Sequence, residues 1–127
     1  MKKLITLFTP LLFVIAPIQA EENYQHFPAI AAPGTHVALC NLRAFNEKLN
    51  AILSKEDLTP EDMVKVHELT YTLENAVMRL QKDLETVAAD LEEVHLASER
   101  LDSETIKNRG DAYLSATGLI LDPKGCE

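Results

Sequence analysis

Two cysteines and four histidines are the side chains here whose chemistry reaches beyond packing. Cys40 and Cys126 stand 86 positions apart, with no C-x-x-C pair. That spacing fits neither a zinc knuckle, a thioredoxin-type centre nor a covalently attached haem, and an even pair in an oxidising compartment points to one disulfide. His67 and His95 are 28 residues apart, four whole heptads, so on one supercoiled helix they share a flank. About 42 Å then separates them, too far to hold one metal within a chain; an antiparallel dimer could bring His67 of one chain near His95 of the other, but the ordinary reading of each is a boundary histidine beside a carboxylate. Glu92-Glu93-Val94-His95 contains Glu-x-x-His, the spacing of carboxylate-bridged di-iron bundles. Such a site needs two of these motifs and two more inward glutamates. One motif is present, with Glu92 on the outer face, so His67, His95 and Glu92 are weak metal candidates only. His26 and His36 fall in or just after a proline-rich lead-in; with Glu21 and Glu22 near the mature N-terminus, weak copper or zinc capture is conceivable there, but a solvated loop fixes no ligand geometry.

No other catalytic constellation stands out. There is no G-x-S-x-G, P-loop or dinucleotide fingerprint, and no nucleophile with a partnered base. Paired acids such as Glu92 and Glu93 lie on a solvated helix rather than in a cleft that would raise one pKa. Lys65, Arg79, Lys82 and Arg100 alternate with acids and suit surface i,i+4 pairs. The chain reads as non-enzymatic and implies no cofactor.

The N-terminus suggests a compartment. Lys2 and Lys3 precede an apolar Leu4–Ile18 run broken by Pro10 and Pro17, and Ile18-Gln19-Ala20 is a tolerable cleavage site. Residues 1–20 thus read as a cleavable secretory signal, cut after Ala20, too short and broken for a good membrane span. Periplasmic or secreted localisation follows, with no stable membrane anchor after cleavage. Loss of Lys2 and Lys3 leaves 10 basic against 20 acidic side chains, a charge of −10. Nucleic acid and anionic membrane surfaces both want clustered Lys or Arg, so neither is an expected partner.

The elements that must position these residues come from periodicity. Residues 21–35 form an irregular lead-in with Pro28, Pro33 and Gly34, and with Tyr24, Phe27 and Ile30 as possible contacts; residues 36–127 form one helical domain. Thr35 is the expected N-cap of a first helix, about 36–54, whose stripe is Ala38, Leu42, Phe45, Leu49 and Ile52. Thr59-Pro60-Glu61-Asp62 starts a second: Thr59 caps, Pro60 presets φ, and the two acids face the positive end of the dipole. Residues 61–109 hold no glycine or proline. Met63, Val66, Thr70, Leu73, Val77, Leu80, Leu84, Val87, Leu91, Val94, Ser98 and Leu101 repeat 3-4 without a slip, predicting one long helix, about 60–101, with a coiled-coil-like seam. Asp102 and Ser103 break the chain before a third helix, about 103–121, with stripe Ile106, Gly110, Tyr113, Thr117 and Ile120.

The expected fold is therefore all-α, a hairpin-type bundle with two shorter helices antiparallel to the two halves of a central one. Helical rise then brings Cys40 and Cys126 level near the middle of the long helix, which favours a bond between them. Two helices' thickness leaves the seam short of cover. A second copy of the chain, packed antiparallel, would supply it, as would another protein; a kink near Ala88-Ala89-Asp90 and a monomeric four-helix bundle is the competing solution.

Leu58–Asp62, His67–Glu74 and Glu92–Glu99, with Tyr24–Phe27 and Arg109–Tyr113, resemble a family of small, signal-bearing proteobacterial proteins classed as a domain of unknown function. That resemblance implies no activity. Lys107–Tyr113 is also similar to the last helix of the periplasmic cytochrome b562 group. Leu114 stands where that family's haem-ligating histidine follows, and no methionine lies near the mature N-terminus, so haem binding does not carry over. The reading is an exported helical protein that self-associates or binds another protein; the alternative is a metal- or haem-binding bundle.

Overall fold

A computed structural model describes residues 28–126. The signal and its cut after Ala20, and the readings placed on Tyr24, His26 and Phe27, lie outside the described residues. Within them the fold is all-α: α1 (Thr35–Leu53), α2 (Pro60–Glu99) and α3 (Ser103–Leu121). No helix among the described residues is long and apolar enough to cross a membrane.

α2 starts where Thr59 and Pro60 predict. The Thr59 hydroxyl accepts the Asp62 N–H at 3.2 Å, and the Asp62 carboxylate accepts the Thr59 N–H in return, a complete capping box. Lys55, in the preceding turn, donates to the same carboxylate at 2.6 Å. One buried acid thus fixes both the helix start and the α1–α2 turn. The end of α2 is a Schellman turn: the Asp102 N–H reaches the Ala97 carbonyl and the Leu101 N–H reaches that of Ser98. Leu101 itself adopts φ 57°. The helix therefore stops at Glu99 rather than at 101. Asp102 then caps α3, accepting from the N–H and hydroxyl of Thr105.

Both short helices run antiparallel to α2. Thr35, at the start of α1, donates to Asp83 at 2.7 Å, while Lys55, just past its end, reaches Asp62. In α3, Arg109 donates to Asp90 at 2.9 Å. α1 and α3 pack extensively on α2 and only marginally on one another. Forty residues of α2 span about 60 Å and nineteen of either partner about 28 Å, so each covers one half. α2 is unbroken through Ala88-Ala89-Asp90, which removes the fold-back four-helix bundle.

Three further readings need correction. The cap of α1 is Gly34, not Thr35, which is the first helical residue and spends its hydroxyl on Asp83. His36 is not in a solvated loop: it sits in the first turn of α1, half-buried. Finally, the seam of α2 is only half covered. The packed face is the row Asp62, Leu69, Ala76, Asp83, Asp90 and Ala97 together with Val66, Leu73, Leu80, Val87 and Val94. The other half of the predicted seam points outward, with Met63, Val77, Leu84 and Leu91 each 46–59% exposed. Apolar spacing marks residues that avoid water but does not say which side receives a partner. Here Asp62, Asp83 and Asp90 anchor the short helices through Lys55, Thr35 and Arg109, and turn the packed face toward themselves. Arg79 makes the expected i,i+4 pair, bridging Asp83 at 2.9 Å, and also donates to the Pro33 carbonyl at 2.8 Å.

Candidate functional site

The described residues present two features beyond packing: a sulfur–imidazole cluster at the middle of the molecule and an uncovered apolar row along α2. Thr35, held by Asp83, sets the rotation of the first turn of α1. The Arg79 guanidinium beside Asp83 holds its carboxyl below the usual range, with help from the Thr35 hydroxyl, so the anchor stays charged. His36 and Cys40, four residues apart, then share one face of α1. After α3 the chain turns at Asp122 and runs back over that face. Arg43 reaches the Pro123 carbonyl at 3.4 Å, and the His36 Nε2–H donates to the Lys124 carbonyl. Cys126 arrives beside Cys40 at disulfide distance, with Cα atoms 4.9 Å apart. Helical rise had put both near this level. Cys40 Sγ lies 3.9 Å from His36 Nδ1, and one donor atom from each of the three residues falls within 4.8 Å of the others.

His67, His95 and Glu92 are not brought together. His67 Nε2 pairs with the Tyr71 hydroxyl at 3.1 Å, the rings edge to face at 5.0 Å. His95 faces Glu99 at 3.5 Å, and Glu92 lies on the exposed side of α2. The one group of three or more candidate metal donors among the described residues is His36, Cys40 and Cys126. Sequence reading found the cysteines but set His36 aside as a loop residue, although its i,i+4 spacing to Cys40 was visible once α1 was placed. What spacing could not show is the tail that folds back to supply Lys124.

The second feature is the row Met63, Thr70, Val77, Leu84, Leu91 and Ser98, at heptad spacing and facing away from both short helices. Met78 widens it at 66% exposure, and a shallow apolar hollow lies among Thr70, Leu73, Val77 and Met78. The described core is correspondingly thin: its buried apolar residues are Ala38, Ile52, Ala76, Val87 and Ala97, and no large side chain is fully buried.

A family defined from sequence, and described as of unknown function, matches residues 1–122. The chain belongs to that family, DUF6746. The match takes in all three helices and Cys40 and ends just before the tail that carries Cys126. No curated protein and no solved structure matches the chain. Membership of DUF6746 therefore brings no activity with it, and the argument for function rests on the arrangement of these residues.

Proposed function

We propose that this DUF6746 member is a non-enzymatic exported protein that acts through self-association, with the outward row of α2 as its contact face. The exposure of Met63, Val77, Leu84 and Leu91 along one side of a 40-residue helix is the observation that carries the reading. A single chain leaves that row about half in water, so each of these apolar side chains forgoes roughly 1 kcal/mol of burial. The occupant that fits is a second copy, antiparallel. Pairing about the middle of α2 sets Val77 against Leu84 of the second copy, Thr70 against Leu91, and Met63 against Ser98. The flanking row His67, Glu74, Gln81, Ala88 and His95 then sets Glu74 against Ala88 and Gln81 against its own equivalent, so no carboxylate in it faces another.

Export rests on different residues. The basic start, broken apolar run and Ala20 of residues 1–20 have the form of a cleaved signal. A cysteine pair at disulfide distance suits an oxidising compartment. Light scattering coupled to size exclusion on the oxidised mature chain tests the assembly. Twice the chain mass, falling to one for Leu84→Asp, supports it; one chain mass at high micromolar concentration refutes it. The metal- or haem-binding alternative through His67 and His95 gains no support within one chain, because an unbroken helix keeps them about 42 Å apart.

A further inference from the structure

We propose that His36, Cys40 and Cys126 form a reduction-gated site for a soft monovalent cation, Cu(I), closed while the cysteines are joined. The spacing comes first. Bonds of about 2.0–2.3 Å to nitrogen and sulfur place two ligands of a three-coordinate ion roughly 3.8 Å apart. His36 Nδ1 and Cys40 Sγ are already 3.9 Å apart, and the three donors span no more than 4.8 Å. The tautomer comes next. Donation from His36 Nε2 to the Lys124 carbonyl leaves Nδ1 as the unprotonated nitrogen; Cys40 Sγ lies 3.9 Å from Nδ1 and 3.8 Å from Nε2, so a turn of the ring aims Nδ1 at an ion held by the sulfurs. A backbone carbonyl on the far ring nitrogen is the support that metal-bound histidines ordinarily carry. The donor set then selects the ion. Two thiolates and an imidazole, without a carboxylate, reject calcium and magnesium and suit a soft cation. Three donors complete a trigonal Cu(I) site, whereas structural zinc takes four. All three residues are half-buried, so a small reductant can reach the sulfurs.

Opening needs a dithiol. Its thiolate attacks one sulfur of the Cys40–Cys126 bond, forming a mixed disulfide and releasing the other cysteine. Its second thiol then closes the reductant's own disulfide. Two electrons have entered the protein, and two cysteine thiols result. Cu(I) binding displaces both thiol protons, giving two Cu–S bonds and one Cu–N bond to His36 Nδ1.

The test is an anaerobic titration of the full mature chain with Cu(I) against a chromogenic chelator, with helicity followed by circular dichroism. The reduced wild type should take up one equivalent. Reduced His36→Ala should bind at least tenfold more weakly, and the oxidised wild type and the Cys40→Ser/Cys126→Ser double variant should leave the copper with the chelator. Equal affinity of reduced wild type and His36→Ala overturns the proposal, including the case where reduction unfolds the chain, since an unfolded dithiol binds copper without regard to His36. Uptake by the oxidised chain overturns the gate. Displacement of Cu(I) by equimolar zinc overturns the choice of ion.

Discussion

At the scale of single residues, two positions show how local chemistry sets this molecule's stability. Leu101 lies 88% exposed at φ 57°, where a side chain crowds the backbone and contributes almost no burial. Glycine relieves that strain, so Leu101→Gly should raise stability by about 1 kcal/mol, read as a higher urea midpoint at unchanged slope. A drop would show that Leu101 packs against something this chain alone does not supply. Asp62 gives the pH dependence. Lys55 donates to it, and the Thr59 N–H adds a second bond, so its carboxyl titrates below the usual range. Asp83 is lowered chiefly by Arg79, and Asp102 chiefly by the Thr105 hydroxyl. Folded-state values below those of the unfolded chain mean that the stabilisation is complete above the unfolded carboxylate pKa of about 3.9. It fades as pH falls through the lowered values. The urea midpoint should hold from pH 7 to about 5 and then drop, and Asp62→Asn should shallow that drop. An unchanged acid limb in Asp62→Asn would remove the capping box from the account. Asp62 was legible as a first-turn acid; its pairing with Lys55 was not, because that depends on how the 54–59 turn closes.

At the scale of helices, the sequence was a good guide to where each begins and a poorer one to which side each turns inward. The α1 stripe Ala38, Leu42, Phe45, Leu49 and Ile52, and the α3 stripe Ile106, Gly110, Tyr113, Thr117 and Ile120, are the sides that lose solvent. Each short helix has a single apolar side, so periodicity decides. α2 carries two adjacent apolar rows, and periodicity alone cannot rank them. The aspartates do: Asp83 and Asp90 lie between apolar positions, and their fixed partners on α1 and α3 pull one row inward. Paired substitutions separate the rows. Leu80→Asp puts a charge on the packed face and should cost 3 kcal/mol or more on the scale of unpaired buried groups, with loss of helicity. Leu84→Asp, one turn away and 51% exposed, should leave helicity intact and change only the solution mass. If both unfold the chain, the outward row belongs to the core. Gly110 gives a check on α3. A Cβ added there meets nothing within 4 Å, so Gly110→Ala should stabilise by about 1 kcal/mol through helix propensity. A destabilised Gly110→Ala would mean that α3 packs closely on α2 at this glycine.

At the scale of the whole molecule, the arrangement is two helical hairpins that share one long helix. α1 with the first half of α2 makes one, and α3 with the second half makes the other. Because α1 and α3 hardly touch, little packing links their fates. The link is the tail: it crosses the junction and joins Cys126 to Cys40, enclosing a loop that contains α2, α3 and α1 from Cys40 onward. Closing 86 residues restricts the unfolded chain by an amount worth about 4.5 kcal/mol at 25 °C in the chain-entropy view. The bond should then do two separable things. It should raise the denaturation midpoint, and it should make the hairpins unfold together. In a Tyr24→Phe/Tyr71→Phe background, where Tyr113 is the remaining tyrosine, oxidised protein is expected to unfold in one transition that looks the same by far-ultraviolet dichroism and by Tyr113 fluorescence, which reports the α3 half. After reduction, or in Cys40→Ser/Cys126→Ser, the midpoint should fall and the two probes should separate, since Tyr113 follows only its own hairpin. Coincident probes in the reduced chain would mean that α2 alone couples the halves, and that the bond contributes stability but not cooperativity. Keeping the metal-free reduced chain at the Leu84→Asp monomer mass distinguishes loss of the clasp from loss of a second copy, because only the former should divide the probes.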